Sequence, residues 1–321
     1  MKKLLTLFAI GCFGFYSMAQ PSDAEIADGK SLIEAYVSPL GNSLGASLNN
    51  GWYNTAKPHQ LGGFDVTITA NLVLVPTDAK TFNITESNDG TFKGDNTATI
   101  LGSTNVKYAT SIYSPTGFSM PEGLNIPLLP VPMLQAGVGL IKNTEIDVRF
   151  MPEIKMKGVS TDLFGIGIKH DILQWLPIVD KIPIDVSFQA GYTKLSSQII
   201  LKGYDANGSK WDSEATLDVG ATTFNILLSK KIVMFTAYAG LGYNSTKTTF
   251  NVNTSSNTNI GYRIAGLDLD VEDLTSFEFE SNNNLRANVG FRFQLAVLAL
   301  QANYTFSEYP VATVGLGISI R

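Results

Sequence analysis

His59, His170 and Cys12 are the only imidazole and thiol groups in this 321-residue chain, so its capacity for acid–base or nucleophilic chemistry is soon surveyed. A hydrolase needs a nucleophile beside a base that a third group orients. His59 stands at the end of "NNGWYNTAKPH" and His170 beside Asp171 in "GIGIKHDILQWLP", and neither is accompanied by a G-x-S-x-G, an H-E-x-x-H or a phosphate-cradling glycine motif. No catalytic residue, metal ligand or cofactor site is therefore assigned. Trp52, Tyr53 and His59 form the one compact group of recognition-type side chains. Three roles are open to them: anchoring a joint in the chain, touching a ligand, or catalysis. Anchoring accounts best for their position between a small-residue stretch and the first alternating run. A second set, Glu145, Asp147, Arg149, Glu153, Lys155, Arg286 and Arg292, is charged and falls on one phase of otherwise apolar segments.

What positions these residues is a chain with a period of two. In "NLRANVGFRFQLA" Leu285, Ala287, Val289, Phe291, Phe293 and Leu295 alternate with Arg286, Asn288, Gly290, Arg292 and Gln294. "EIDVRF", "PIDVSFQAGY" and "IVMFTAYAGLGYN" repeat the pattern over runs longer than the usual soluble strand of about 5 to 6 residues. A bilayer needs about 9 to 11 tilted strand residues. Charged groups on the polar phase suit a lumen, and Tyr192, Tyr243, Tyr304 and Phe306 close the apolar phases where an interfacial girdle would lie. Charged residues make up 16% of the chain, low against about 25% for a soluble domain. The expected fold is all-β: an antiparallel transmembrane barrel of about fourteen strands, with strands near 63–75, 105–113, 133–141, 144–157, 161–170, 183–193, 195–204, 214–229, 232–243, 245–254, 274–281, 284–296, 297–307 and 311–320. Tight turns are expected at Lys142-Asn143, Ser229–Lys231 and Ala296-Val297. A phase change between Ala221 and Phe224 predicts a β-bulge at Thr222-Thr223. The apolar "LNIPLLPVPML", 124–134, reads as a loop on the barrel mouth, as a capture site or as an adhesive loop. The polar "SSNTNIGYRIAGLDLDVEDLTS" reads as an outer surface.

Residues 1–19 have the form of a signal peptide: Lys2 and Lys3, the thirteen-residue core "LLTLFAIGCFGFY", then Ser17 and Ala19 before Gln20. Cleavage there removes Cys12 and leaves 21 basic and 28 acidic residues, a net charge of −7. That excludes disulfides and argues against a nucleic-acid partner. Residues 20–62 read as a helical plug and hinge, with helices near 23–37 and 39–48 carrying Leu32, Tyr36, Leu40, Leu44 and Leu48 on one face. Residues 63–321 then form the barrel. "KHDILQWLPIVDKIP" predicts a helical turn at the membrane surface, capped by Asp171.

The closing "TVGLGISIR" resembles the C-terminal signal that barrel-insertion machinery reads, without its terminal aromatic residue. With "NNGWYNTAKPH" and "GIGIKHDILQWLP", the chain looks like an uncharacterised outer-membrane family of the Bacteroidota. More distantly, a plug before fourteen strands resembles the long-chain fatty acid transporters (FadL/TodX-like). That resemblance implies a bacterial outer-membrane location, contact with outer-membrane lipid and passive uptake of a small hydrophobic ligand past the plug. A structural or adhesive barrel is the alternative, and an outer-membrane hydrolase is the third.

Overall fold

A computed structural model describes residues 23–104, 108–111, 118–120, 122–156, 159–175, 183–204, 210–253, 276–281 and 285–320. The leader and its cleavage site, and the polar stretch expected at the outer surface up to residue 275, lie outside them. One helix, α1 (Asp23–Leu48), precedes β1 (Phe64–Leu74), β2 (Leu128–Leu140), β3 (Thr144–Met156), β4 (Val159–Asp171), β5 (Asp185–Tyr204), β6 (Lys210–Ile232), β7 (Phe235–Asn253), β8 (Ser276–Ser281), β9 (Leu285–Leu295), β10 (Leu298–Phe306) and β11 (Val311–Ile320). Each strand pairs antiparallel with the next around the ring, β7 passes directly to β9, and β1 closes on β11 from Phe64↔Ile320 to Val73↔Val311. The result is a closed barrel of ten strands with β8 outside the ring, paired with the upper part of β7.

The expected count of fourteen is too high for identifiable reasons. The 183–193 and 195–204 runs are one strand, β5, and 232–243 and 245–254 are one strand, β7. Among its described residues the 105–113 run supplies Tyr108–Ser111, which pairs with Phe92–Lys93 and Phe118–Ser119 and not with the barrel, and the described part of the 274–281 run is β8. The strand-count part of the likeness to fatty acid transporters falls with it.

Inward and outward faces differ as a membrane barrel requires. On β1, Phe64, Val66 and Ile68 are exposed, while Asp65, Thr67, Thr69 and Asn71 are buried in the lumen. From Phe235 to Tyr243 eight residue steps, tilted about 40°, rise roughly 20 Å, close to the apolar band of about 25 Å that spans a bilayer. Tyr192, Tyr243 and Phe306 are exposed at the upper edge of that band, with Tyr304 half-buried beside Phe306 at 4.8 Å between ring centroids.

At one end the connections are short. Lys142 and Asn143 both take positive φ, 55° and 46°, the primed-turn geometry that matches strand twist. The turn expected at Ser229–Lys231 lies further on, at Val233-Met234, because β6 runs to Ile232. Ala296 (φ 53°) turns β9 into β10. Among the described residues between β4 and β5, a 3₁₀ turn, Leu173–Trp175, begins with Asp171 Oδ1 accepting from Leu173 N at 2.8 Å. At the other end the described residues between 75 and 127 fold into a cap that includes the two-strand pair Thr81–Asn83 and Asn96–Ala98.

The bulge predicted at Thr222-Thr223 is absent. β6 pairs without a register shift on both sides, Thr222↔Tyr192 and Thr222↔Ser245 included. The apolar phase changes because the environment does: Phe224, Ile226 and Leu228 face outward, whereas Leu217, Val219 and Ala221 face an apolar upper lumen. The register shift that does occur lies in β3, between Met151↔Leu163 and Ile154↔Thr161, flanking Pro152. "LNIPLLPVPML" is not a mouth loop: from Leu128 it is the upper half of β2. Pro130 and Pro132 sit where β2 pairs with β1 alone, so the missing N–H groups disturb no ladder to β3.

Candidate functional site: the filled lumen

The lumen is occupied by α1 and by the chain that follows it. The two helices expected on either side of Ser38-Pro39 are one, continuing through Pro39. A proline inside a helix frees a carbonyl in the preceding turn. Here that carbonyl is Ala35 O, four residues before Pro39; the next one, Tyr36 O, accepts from the cap's Ile100 N at 2.9 Å. Leu32 and Tyr36 pack under the cap with Ile84, Phe92 and Phe279, and Leu48 with partly buried Leu40 and Leu44 enters a collar of Val131, Met133, Leu163, Leu195, Leu217, Val219 and Phe250. The other face of α1 is small. A β-carbon on Gly45 would overlap the Thr246 side chain, and one on Gly41 would stand 2.8 Å from the Phe279 ring.

The cap grips the upper end of α1. The buried Asp28 carboxylate accepts from Asp89 N (2.7 Å) and Thr91 N (3.0 Å), and the Tyr36 hydroxyl donates to Glu122 O (2.9 Å). Burial raises the Asp28 carboxyl, but the bonds from Thr91 and from the Asp89 and Thr91 amides outweigh it and hold the group below the ordinary carboxylate value.

At the lower end α1 stops at Leu48, and Gly51 takes the left-handed conformation (φ 76°) that lets the chain turn away. Helix ends leave carbonyls without intrahelical partners and carry partial negative charge. The barrel wall answers both needs. Arg149 donates from Nη1 to Leu48 O (2.8 Å) and from Nη2 to Asn50 O (2.7 Å); Arg286 donates from Nη1 to Asn49 O (2.8 Å); Asn71 donates to Ser47 O (2.7 Å).

Below the helix, residues 52–56 and His59 are each seated in the wall, while Lys57, Gln60 and Leu61 are exposed. The Trp52 indole lies between the Arg149 guanidinium, 3.7 Å from the ring centroid, and Gly167 and Gly191, register partners on β4 and β5. A β-carbon on either glycine would stand 2.5–2.7 Å from the indole, so only a glycine pair leaves this slot open. Tyr53 accepts from Arg286 Nη2 (3.3 Å) and meets Tyr238 edge to face at 6.1 Å. Asn54 accepts from Arg292 (2.8 Å), and Ala56 bonds Ser229 through its N–H and Ser187 through its carbonyl. His59 N donates to Glu145 Oε2 (2.6 Å), whose Oε1 accepts from Lys169 (2.6 Å), and His59 Nε2 stands 3.6 Å from Asp65. Gly62 and Gly139 close the joint to the wall at 3.2 Å.

Trp52, Tyr53, His59, Glu145, Asp147, Arg149, Arg286 and Arg292 are thus brought together, all buried in the lower lumen. They pack against one another and the hinge rather than around an open channel. The space left among Trp52, Tyr53, Asp65, Gln135, Glu145 and Lys169 is about 10 Å³, about one water molecule. Glu153 and Lys155 do not belong to this group: they are exposed and pair with each other at 3.2 Å. Sequence reasoning missed Lys169, Asn71, Gln135 and Ser229, which share the polar phase of their strands and needed only the same parity test. His170 is held away from the lumen, its ring nitrogens on Thr144 Oγ1 (2.9 Å) and Trp175 Nε1 (2.9 Å). Among the described residues no group of three or more His, Cys, Asp or Glu has the arrangement to hold a metal.

Among solved structures the chain is similar to the translocator domain of the autotransporter NalP from Neisseria meningitidis (12% identity, 89% of this chain and 96% of that one, TM-score 0.33). It is also similar to Ail, the attachment invasion locus protein of Yersinia pestis (11%, 81% and 98%, 0.29), and to the outer membrane protease OmpT from Escherichia coli (7%, 85% and 100%, 0.31). Likenesses at this level carry no functional weight. No curated protein matches the chain. A family model described as "Family of unknown function (DUF6588)" matches residues 1–320, and the chain belongs to that family.

Proposed function

We propose that this protein is a bacterial outer-membrane barrel that stays shut and works through its outer surface, as a structural or adhesive barrel without a catalytic step. The observation that carries this reading is the fastening of residues 23–62 at both ends. The cap clasps Asp28 and Tyr36 above, and Arg149, Arg286 and Arg292 hold residues 48–54 below, with about 10 Å³ left in the pocket among Trp52, Tyr53, Glu145 and Lys169. A plug built to leave would be released at one end. Short turns face the periplasm in barrels of this class, which puts the cap on the outside. Insertion through the β11 signal and contact with outer-membrane lipid follow from the same reading.

A second reading, passive uptake of a small hydrophobic molecule past the plug, is favoured by the apolar collar. If α1 withdrew, Leu163, Leu195, Leu217 and Val219 would line a greasy chamber. Single-channel conductance of the refolded protein in a planar bilayer, beside a deletion of residues 23–50, separates the two. The closed reading expects no unitary steps from the intact protein. Steps from the intact protein, or saturable binding of a radiolabelled long-chain fatty acid to it, would overturn that reading in favour of transport.

A further inference from the structure

The short-turn end of the barrel is tipped with apolar side chains, where a rim standing in water would be polar. Leu61 at the joint to β1, Ile141 between β2 and β3, Trp175 between β4 and β5, Val233 between β6 and β7 and Val297 between β9 and β10 are all exposed, so every connection described at this end carries one. Val233 holds this place at φ 56°, a conformation that suits glycine or asparagine and strains a β-branched residue. Height accounts for these tips. Ten residue steps separate Val233 from Tyr243 and nine separate Val297 from Phe306, which at a tilt of about 40° rise roughly 23–25 Å, the height of the apolar band. The turns thus end at the lower edge of the hydrocarbon.

A group of cations stands at that level. Ala56 N donates to Ser229 Oγ at 3.0 Å, which seats the next residue, Lys57, beside Lys230 and Lys231. All three lysines are exposed, and none has an ion pair among the described residues. The other charged groups on the strands around them are Asp185, half-buried and accepting from Ser229 at 3.4 Å, and Arg292, buried and held by Asn54 and Gln294. The remaining acids described at this end, Asp65, Glu145 and Asp171, are buried or half-buried, so none presents an exposed carboxylate. Lys230 has the outward phase of β6, between Leu228 and Ile232, both exposed on the lipid-facing wall. Two residue steps from the turn, its stem is long enough to lie along that wall and bring the ammonium to the headgroups.

We propose that this corner of the rim seats one inner-leaflet phospholipid whose headgroup is anionic and carries no cation. Its phosphate bonds Lys230, Lys231 and Lys57 add to the field that holds it, and an acyl chain rises along the outward face of β6. Position selects a lipid: a protein or glycan beneath the barrel meets the turns, whereas Lys230 stands on the wall beside them, among Leu228, Ile232, Val233 and Met234. Charge selects the headgroup. Three lysines stand against one half-buried acid, so the ammonium of a zwitterionic headgroup finds like charge and no exposed carboxylate among the described residues, while an anionic headgroup gains from every lysine within a Debye length.

The site rests on the outer-membrane reading of the barrel and its orientation, and its failure would leave the conductance result untouched. The test incubates the detergent-solubilised full chain with equal amounts of dioleoyl phosphatidylglycerol and dioleoyl phosphatidylethanolamine, then quantifies by mass spectrometry the lipid retained through gel filtration. The intact protein is expected to retain phosphatidylglycerol about tenfold over phosphatidylethanolamine. Lys230→Gln lowers that ratio about fivefold, what one lysine contributes at an anionic membrane surface. Lys230→Gln with Lys231→Gln erases it, and Lys230→Arg keeps it. Lys142→Gln, which removes the same charge from the β2–β3 turn, leaves it unchanged. Equal retention of the two lipids by the intact protein, an unchanged ratio in Lys230→Gln, or an equal fall in Lys142→Gln overturns the proposal. So does displacement of the lipid by millimolar inorganic phosphate at matched ionic strength, which would make this a site for free phosphate.

Discussion

Replacing Arg149 with Met keeps the length and packing of the side chain on Trp52 but removes the charge that ties α1 to the wall. Arg149 makes three bonds, to Leu48 O, Asn50 O and Gln135 Oε1 (2.8 Å), and a cation–π contact at 3.7 Å. Charge-assisted bonds contribute about 1.5–3 kcal/mol each. They share one side chain, so their sum overstates the loss; breaking one partner out of a buried charged network costs about 3–5 kcal/mol. At about 4 kcal/mol the equilibrium for opening the hinge shifts about a thousandfold, since every 1.4 kcal/mol is tenfold. The effect is local, because the strand ladders do not pass through Arg149's side chain. Amide hydrogen exchange of Arg149→Met in detergent is therefore expected to show protection of residues 46–57 falling by about three orders of magnitude while β1 and β11 exchange as before. A loss below tenfold, or one spread evenly over the strands, would refute the view that this arginine holds the plug in place.

Gly191→Val puts side-chain atoms where the Trp52 indole lies, an overpacking cost of about 1–3 kcal/mol that should appear as a red-shifted Trp52 emission in a variant with the other tryptophans replaced by Phe. Gly45→Val clashes with Thr246, and its loss of thermal stability should be partly recovered by adding Thr246→Ala, a coupling a double-mutant cycle would read. The Asp28 carboxyl is held below its ordinary value of 3.8 in the folded protein, so its grip on the cap is fully present above that value and is lost as pH falls through the lower folded value. Exchange protection of the Asp89 and Thr91 amides should fall over that acid range, and Asp28→Asn should remove most of this pH dependence.

The ring of strands was legible where one rule held along a whole segment, as in Leu285–Leu295, whose alternation marks both faces without exception. It failed where a strand outruns the membrane. Lys194, an outward residue of β5 above the apolar belt, and Asn244, a lumen residue of β7, are single polar positions that read as links between strands although the ladder continues through them. The change of phase after Ala221 failed likewise, since hydrophobic periodicity reports burial and cannot tell lipid from an apolar lumen. The charged lumen residues were found by parity, but their partners were not. Arg149 and Arg286 cap the end of a helix about a hundred or more residues earlier in the chain, and no local spacing records that. The glycine pair Gly167 and Gly191 carries its meaning only once β4 and β5 are in register.

The seam between β1 and β11 fixes an order of events during biogenesis. It joins Phe64 to Ile320, so the ring cannot close until nearly the whole chain has been delivered, whereas residues 23–62 come first. Once the seam is shut, the helix threads the ring with one end under the cap and the other continuous with β1, and no strand can move aside to admit it. The helix is delivered before any strand, so it is available to lie within the curling sheet when the last strand zips up. Closure then depends on contacts of very high sequence separation, which makes it the slow step of folding. A chain whose amino-terminal helix arrives late would be caught as an open sheet with two unpaired edges, the state in which such a protein aggregates.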